Sequence, residues 1–529
     1  MIRKNYRLFC LLPALALLLW TDVQAQPARE ANEVIYHVFL RSFYDADGDA
    51  QGDLEGLRQK LGYLQELGIT AILLTPINSS PYYHNYFSDD FEKIDPEFGS
   101  LDDYTRLARE VHRREMKLYL DMETQYVTED HAWWKDSYHN PASPYSDYII
   151  YNDRGNTQPE SIIFNLTGLT GYNGVTRRIT TVNLLSPKVL DYNDKLFRYW
   201  MDPNGDGKFD DGADGFRLDH AMDDLDWKGK FTGLFEKFWH PLLTRLRQVN
   251  PRLVIIAEQA DWSDFGQAYF EKAGVDRVFA FRLQQAILSF DKTKLQQALD
   301  STLLATPAGR RQVVFLENHD MPRFASATGR DDGKLRAGAA LSLLLPGIPL
   351  IYYGQELGMY GSGGFGKFGN TDANDIPMRE AFEWYRSDSG RGMAVWYRNT
   401  GPWWDNTNLV ANDGISLEEQ EKYPASLYRY YKTLLHLRHM HPALYAGQYR
   451  AVPNDGAQVF SFLRFTPNQT LLILVNLAGD DGQLAINAAK AGLGGSPTLS
   501  PVYPAGNAPA TALHFSLRPY EVQVWSVKQ

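Results

Sequence analysis

Gly215-Phe216-Arg217-Leu218-Asp219-His220 is a short apolar run interrupted by an arginine and an aspartate two residues apart. Side chains of a β-strand repeat every second residue, so Arg217 and Asp219 share one face. A guanidinium beside a carboxylate keeps that carboxylate ionised near neutral pH. Taken alone, the pair is either a structural ion pair at a strand end or an activated anion. Two later stretches have the same design: Leu253 to Ala257 is an apolar run ending in Glu258, and Gln312 to Leu316 leads into Glu317-Asn318-His319-Asp320. Three buried-type strands each deliver a carboxylate at or just past the C-terminal end, where barrels of the β/α type place their chemistry.

The same rhythm recurs outward from these three. Residues 35–40, 69–76, 117–122, the Arg217 strand, 253–258, 277–282, 312–318 and 348–354 read as eight strands. Helical patterns separate them over 53–68, 102–116, 231–250, 292–304 and 334–345. In the first, Leu54, Leu57, Leu61, Leu64 and Leu67 form one stripe closed by Gly68. Eight βα units predict an α/β fold, a closed parallel (β/α)8 TIM barrel rather than an open doubly wound sheet. A chain of 529 residues accommodates such a barrel with insertions and one further small domain. After a helix over 427–440 the pattern changes to short alternating strands, from Gln458-Val459-Phe460-Ser461-Phe462-Leu463 through 471–476 to 519–527, which predicts a C-terminal antiparallel β-sandwich over 446–529.

Residues 1–25 read as a secretory signal: Arg3, Lys4 and Arg7, an apolar stretch from Leu8 to Trp20, then Val23-Gln24-Ala25 before the cleavage point. The apolar stretch is shorter than the ~20 residues of a spanning helix, so the expected product is exported, periplasmic or secreted, without stable membrane insertion. Cys10, the one cysteine, lies inside this signal. Disulfides, thiol catalysis and cysteine-based zinc sites are thereby excluded from the mature chain. The formal charge of -11 loses a net +2 with Arg3, Lys4, Arg7 and Asp22, leaving -13, a poor match to nucleic acid.

The Gly-Phe-Arg-x-Asp run, the glutamate closing the next strand and Asn318-His319-Asp320 occur in an order that resembles the α-amylase family of glycoside hydrolases, and 347–356 resembles its eighth-strand motif. The likeness runs from Tyr36 to the terminal sandwich. It implies a carbohydrate substrate, Asp219 as nucleophile, Glu258 as general acid/base and Asp320 as the residue that orients the sugar, with Arg217 and His319 beside them. Pro81-Tyr82-Tyr83-His84-Asn85-Tyr86 resembles the segment that brings a tyrosine and a histidine to the sugar, which implies Tyr86 and His84 as substrate contacts. Retaining hydrolysis needs one carboxylate to attack the anomeric carbon and one protonated carboxyl to release the leaving group, ~5 to 5.5 Å apart. Arg217 is expected to hold Asp219 ionised, and the apolar approach Ile255-Ile256-Ala257 to help keep Glu258 protonated. Between 123 and 185 the strand–helix rhythm stops. This stretch resembles the domain that relatives insert after the third strand, leaving 26–122 and 186–445 to the barrel; Trp133 and Trp134 either line the cleft or pack inside the insert. Residues 361–423, rich in glycine and aromatics, read as a long functional loop over the barrel mouth.

Between Asp45 and Asp53 an acid stands at every second position for three steps and again at the ninth. Oxygen ligands so spaced can wrap one hard cation, with glycines permitting the tight backbone; the alternative is an acidic surface turn. The stretch also resembles the calcium loop of oligo-1,6-glucosidase-like members, which implies one structural Ca2+ on Asp45, Asp47, Asp49, Asp53 and the backbone carbonyl of Gln51. A second acidic loop, 202–211, resembles one in neopullulanase-like relatives but has Ala213 at its twelfth position.

Several places depart from the family pattern. The third strand usually ends in an aspartate followed five residues on by a sugar-contacting histidine; here Asp121 is followed by Tyr126, with Gln125 where asparagine is usual. Phe87 replaces a frequent aspartate after the stacking tyrosine, and Met222-Asp223 stand where many amylases have Lys-His. With Tyr126 taking the histidine's contact position, the pocket must be reshaped, since a phenol cannot make the imidazole's contact in the same space. The expected enzyme is a retaining α-glycosidase of α-glucans or derived oligosaccharides, favouring a short or differently linked α-glucoside over long starch chains. The alternatives are a transglycosylase, in which a sugar hydroxyl resolves the covalent intermediate, and a non-catalytic glycan-binding relative, against which the joint presence of Asp219, Glu258 and Asp320 argues.

Overall fold

The computed structural model describes residues 32–364, 366–494, 497–505 and 513–528; the leader at 1–25, with Cys10, lies outside the described residues. Eight strands form the barrel: β1 (Ile35–Val38), β2 (Ala71–Leu74), β3 (Lys117–Met122), β4 (Gly215–Ala221), β5 (Val254–Gln259), β6 (Arg277–Phe279), β7 (Arg311–Val314) and β8 (Ile348–Tyr352). They neighbour one another in chain order, all pairs are parallel, and β8 returns to β1 to close the ring. The predicted fold class is borne out.

The alternation of strand side chains decides what fills the barrel. Ile35, Leu73, Tyr119, Val254, Ile256, Phe279, Val313 and Leu350 pack together inside it. Their chain neighbours Tyr36, Ile72, Leu118, Phe216, Leu218, Ile255, Val278 and Ile351 face the helices. The same period of two turns Asp121, Arg217, Asp219 and Glu258 inward at the C-terminal rim. The helices outside form from their apolar stripes: in Leu54–Leu67 all five stripe leucines are buried, Asp53 caps the first turn by accepting from Gly56 N at 2.7 Å, and Gly68 ends the helix at φ 105°, a conformation that only glycine adopts without strain.

β4 and β5 change register at the rim. Leu218 pairs with Ala257 and Ala221 with Gln259, so Asp219 and His220 stand opposite the single Glu258. This is a β-bulge, which bends a strand and re-aims its side chains; His220 takes φ 47° within it. β6 is shorter than the predicted 277–282, because Phe281 already starts the helix Phe281–Leu288. β7 leaves the ladder at Val314 rather than continuing to 318, and the helix predicted over 231–250 begins at Phe235. The helix Pro187–Met201, not among the predicted helices, returns the chain to β4 and starts on a proline whose missing N–H costs nothing there.

After β3 the chain leaves the barrel and forms a three-stranded antiparallel sheet of Tyr126–Thr128, Thr176–Thr181 and Gly168–Thr170. Trp133 and Trp134 are both buried, the former among His131, Tyr148 and Tyr192. The C-terminal strands build a five-stranded antiparallel sheet facing a two-stranded one. Phe460, Phe462, Leu471 and Ile473 of the larger sheet dock on the barrel side, while Leu463, Leu472, Leu474 and Trp525 fill the core between the two sheets. Among the described residues no helix is long and apolar enough to cross a membrane.

Candidate active site

One buried guanidinium gathers the rim carboxylates. Arg217 Nη1 donates to both Asp121 oxygens at 2.8 and 2.7 Å and to Asp219 Oδ1, and Nη2 meets Glu258 Oε2 at 2.7 Å. The sequence pairs Arg217 with Asp219 alone; in the barrel it serves three acids, since Asp121, Arg217 and Ile256 lie side by side on β3, β4 and β5. Burial pushes the Glu258 carboxyl well above the ordinary range, opposed by Arg217 and reinforced by the charges of Asp219 and Asp320. Burial likewise raises Asp121 to about 6 against the pull of Arg217.

Asp320 has the opposite balance. Burial would raise it, but His319, whose Nε2 lies 3.0 Å from Oδ2, and Arg379, whose Nη2 lies 3.1 Å from Oδ1, hold it well below the usual carboxylate range. Tyr86 ties this group to the first: its hydroxyl lies 2.7 Å from Asp121 Oδ2 and 2.7 Å from His319 Nε2, and its ring stacks on the His319 ring at 5.1 Å. His84 is buried beside it, accepts from Tyr86 N at 3.1 Å, and is kept neutral by burial and the nearby Arg379. Asp219, Glu258, Arg217, Asp320, His319, Tyr86 and His84 are thus gathered in one connected constellation.

Tyr126 lies differently. Its hydroxyl donates to the Asp226 carboxylate, and its ring packs with Tyr82, Ile162 and Ile179. Gln125 Nε2 donates to the carbonyls of Asp219 at 2.9 Å and His220 at 3.1 Å, clamping both bulge residues.

Two participants are missing from the sequence-derived site. Glu123 hydrogen-bonds Asp219, and burial together with the charge of Asp219 keeps its carboxyl well above the ordinary range, so a neutral Glu123 donates to Asp219. Arg379 comes from the long loop after β8; besides Asp320 it binds the His319 carbonyl at 2.8 Å and the Tyr83 hydroxyl at 2.9 Å. The inserted sheet reaches the same side: the Tyr82 hydroxyl donates to the Leu169 carbonyl at 2.9 Å, and Thr170 forms a bridge with Thr371 of that loop.

In the first acidic loop, ligand oxygens of Asp45, Asp47 and Asp49 lie within 4.8 Å of one another. Asp45 accepts from Gly48 N at 2.6 Å and Ala50 N at 2.9 Å, while Asp53 accepts from Ala46 N at 2.8 Å and Gly56 N at 2.7 Å. The Gln51 side chain receives a hydrogen bond from Arg41. Burial raises Asp53 to about 6, with Asp47 and Asp45 adding to it. In the second loop Asp206 pairs with Lys208 at 2.6 Å and Asp211 with Arg109 at 3.1 Å. Among the described residues, three oxygen ligands converge in the first loop and not in the second.

Residues 37–447 match the family described as Alpha amylase, catalytic domain. The chain is 29% identical over 457 residues to Alpha-amylase 3 of Dictyoglomus thermophilum, covering 84% of this chain and 85% of that protein. It is 27% identical over 521 residues to the trehalose synthase/amylase TreS of Mycobacterium tuberculosis, covering 87% and 82%. The crystal structure of an alpha-amylase from H.orenii matches with a TM-score of 0.76 at 26% identity, covering 94% of this chain and 99% of that one.

Proposed function

The chain belongs to the alpha-amylase family and is an enzyme that acts on glycosidic bonds; from that premise we propose a retaining α-glycosidase whose substrates are short α-glucosides. The observation that carries this reading is the geometry around Arg217: Asp219 receives hydrogen bonds from Arg217 and Glu123, while Glu258, bonded to the same guanidinium, is pushed by burial toward its protonated form. Two carboxyl groups in unlike environments divide the roles of nucleophile and acid.

In the first step Glu258 gives its proton to the glycosidic oxygen, the bond from that oxygen to the anomeric carbon breaks, and an Asp219 oxygen bonds the anomeric carbon. In the second, Glu258 as carboxylate takes a proton from water, whose oxygen displaces Asp219 and restores the starting configuration. Asp320, held ionised by His319 and Arg379, binds sugar hydroxyls and favours the positive charge that develops on the ring. The preference for short substrates rests on Tyr126, which stands where relatives place a sugar-contacting histidine, and on the contact between the inserted sheet and the loop after β8, where Thr170 bridges Thr371.

A transglycosylase reading is supported by the relative named trehalose synthase/amylase; it differs only in what resolves the covalent intermediate. We also propose that Asp45, Asp47, Asp49, Asp53 and the Gln51 carbonyl hold one Ca2+. Three convergent carboxylate oxygens on a glycine-containing loop supply part of the oxygen shell of about six to eight ligands that ion takes, and its place between β1 and the first helix gives it a structural role. Export as a periplasmic or secreted enzyme rests on the leader sequence.

The test is kcat/KM on amylose, maltooligosaccharides, isomaltooligosaccharides, sucrose and trehalose, with the anomer first released followed by NMR. The α-anomer and a short best substrate are expected. Release of the β-anomer overturns retention, and amylose as best substrate overturns the size preference. Disaccharide isomers accumulating in place of glucose establish the transglycosylase.

A further inference from the structure

The loop after the nucleophile strand holds a tryptophan in a costly arrangement. Trp227 is 55% exposed, an unusual state for so large an apolar ring, and its backbone sits at φ 54°. Asp226 before it is at φ 59°, and Gly229 after it at φ 67°. Residues other than glycine avoid this left-handed region, and consecutive occupants persist only where the surroundings impose them.

The surroundings do impose it. The Asp226 carboxylate receives the Tyr126 hydroxyl and lies 3.4 Å from Lys228 Nζ. Lys228 in turn meets Glu160 Oε1 and Ser161 Oγ of the inserted domain, both at 3.1 Å. Asp224 closes the turn by accepting from Gly229 N at 2.9 Å. The loop is therefore fastened on both flanks of the indole while the indole itself is left in solvent. Its ring centroid lies 6.3 Å from that of His220, the residue next to Asp219, whose backbone N–H donates to Glu258 Oε2 at 3.3 Å.

An exposed aromatic on a loop fastened at both flanks, beside His220, whose backbone N–H meets the acid that protonates the leaving group, is suited to a sugar face. Sugars present C–H groups on one side of the ring, and an indole face receives them as an apolar, electron-rich surface. Resting on the glycosidase reading above, we propose that Trp227 is the platform for the leaving-group sugar, and that Tyr126 is a positioning residue that holds it there through Asp226. This gives the tyrosine at the departure from the family pattern a task other than touching the sugar beside Asp219.

The experiment compares substrates with and without a leaving-group sugar. Wild type, Trp227→Ala, Trp227→Phe and Tyr126→Phe are assayed on maltose, isomaltose and α-glucosyl fluoride, the last of which releases only fluoride. The ratio of kcat/KM on the better disaccharide to that on the fluoride should fall about tenfold in Trp227→Ala, the scale of one aromatic contact, and less in Trp227→Phe. Tyr126→Phe should lower the same ratio through KM, with kcat on the fluoride retained. An unchanged ratio in Trp227→Ala overturns the proposal. If wild type turns over none of the three, the glycosidase reading fails on its own; calorimetric titration with maltose then decides the platform, weaker binding by Trp227→Ala supporting it and equal binding overturning it.

Discussion

Replacing Arg217 by lysine tests the central claim about the site, because it keeps the charge and removes the fork. The guanidinium is 1% exposed and bonds Asp121, Asp219 and Glu258 at once. An ammonium on a flexible stem lacks the planar array that holds carboxylates on two of its nitrogens, and it satisfies one of the three. Two charge-assisted bonds are then lost at ~1.5 to 3 kcal/mol each, ~3 to 6 kcal/mol together, which is ~10²- to 10⁴-fold in kcat/KM at about 1.36 kcal/mol per factor of ten. No discount for solvent screening applies at a site this buried.

The pH profile adds a second, independent readout. Arg217 pulls the Glu258 carboxyl down against the larger effect of burial. Weakening that pull raises Glu258 further, so the alkaline limb of kcat/KM, where the acid loses its proton, should move to higher pH in Arg217→Lys. The assay is kcat/KM on an aryl α-glucoside from pH 4 to 9, with circular dichroism to confirm the fold. A folded variant within tenfold of wild type, or an alkaline limb that moves to lower pH, refutes the shared-guanidinium account.

Asp219→Asn should lose at least ~10²-fold in turnover on every substrate, whereas Glu258→Gln should lose that on maltose but far less on α-glucosyl fluoride, whose leaving group needs no proton; equal losses for Glu258→Gln on both would remove it as the acid. Chelator treatment, and Asp45→Asn without it, should lower the melting temperature while leaving the product pattern unchanged, as a structural calcium requires; an unaltered melting curve removes the ion. Burial raises Glu356 to about 7 and Glu380 to about 8 in the fold. Folded pKa values above the unfolded ones mean that the native state binds the extra protons, so this stability is fully present below pH ~4.5 and is lost as pH rises through 7 to 8. The melting temperature should therefore fall from pH 6 to 9, and Glu380→Gln should flatten the decline; a rise over that interval contradicts the assignment.

The barrel was legible because each strand states its own position. Eight mostly apolar runs alternating with helical patterns, several of them closed by a carboxylate, leave few other folds open, and the leucine stripe from Leu54 to Leu67 reads directly as a buried helix face. That Arg217 and Asp219 share one face came from their spacing; that this face is the inner one comes from the barrel. Strand ends and the loops beyond them are harder to read. The bulge that sets Asp219 and His220 against Glu258 depends on the pairing of β4 with β5, which no single-strand pattern encodes. Arg379 lies 59 residues beyond Asp320 in a loop without periodicity, so nothing local marks it as a partner. Glu123, two residues past Asp121, reads in sequence as the start of the insert, yet the chain has not turned away from Asp219 at that point.

Tyr126 shows the same limit most clearly. Its spacing from Asp121 marks the position where relatives place a sugar-contacting histidine, and from sequence a tyrosine there reads as a lost or altered contact. In the fold its hydroxyl meets Asp226, 100 residues away, at a turn whose left-handed backbone has no sequence signal, since Asp226 and Trp227 are not glycine. In sequence none of the three is marked as a partner of the others: a tyrosine after the third strand, and an aspartate and a tryptophan in the loop after the fourth. Only their juxtaposition converts a missing imidazole on one side of the scissile bond into a braced indole on the other. Restoring histidine at Tyr126 should therefore not restore an ordinary amylase. Tyr126→His would release Asp226 from its hydroxyl and weaken disaccharide turnover without improving amylose, whereas a gain on amylose with disaccharide turnover intact would show that the two sides of the site are independent.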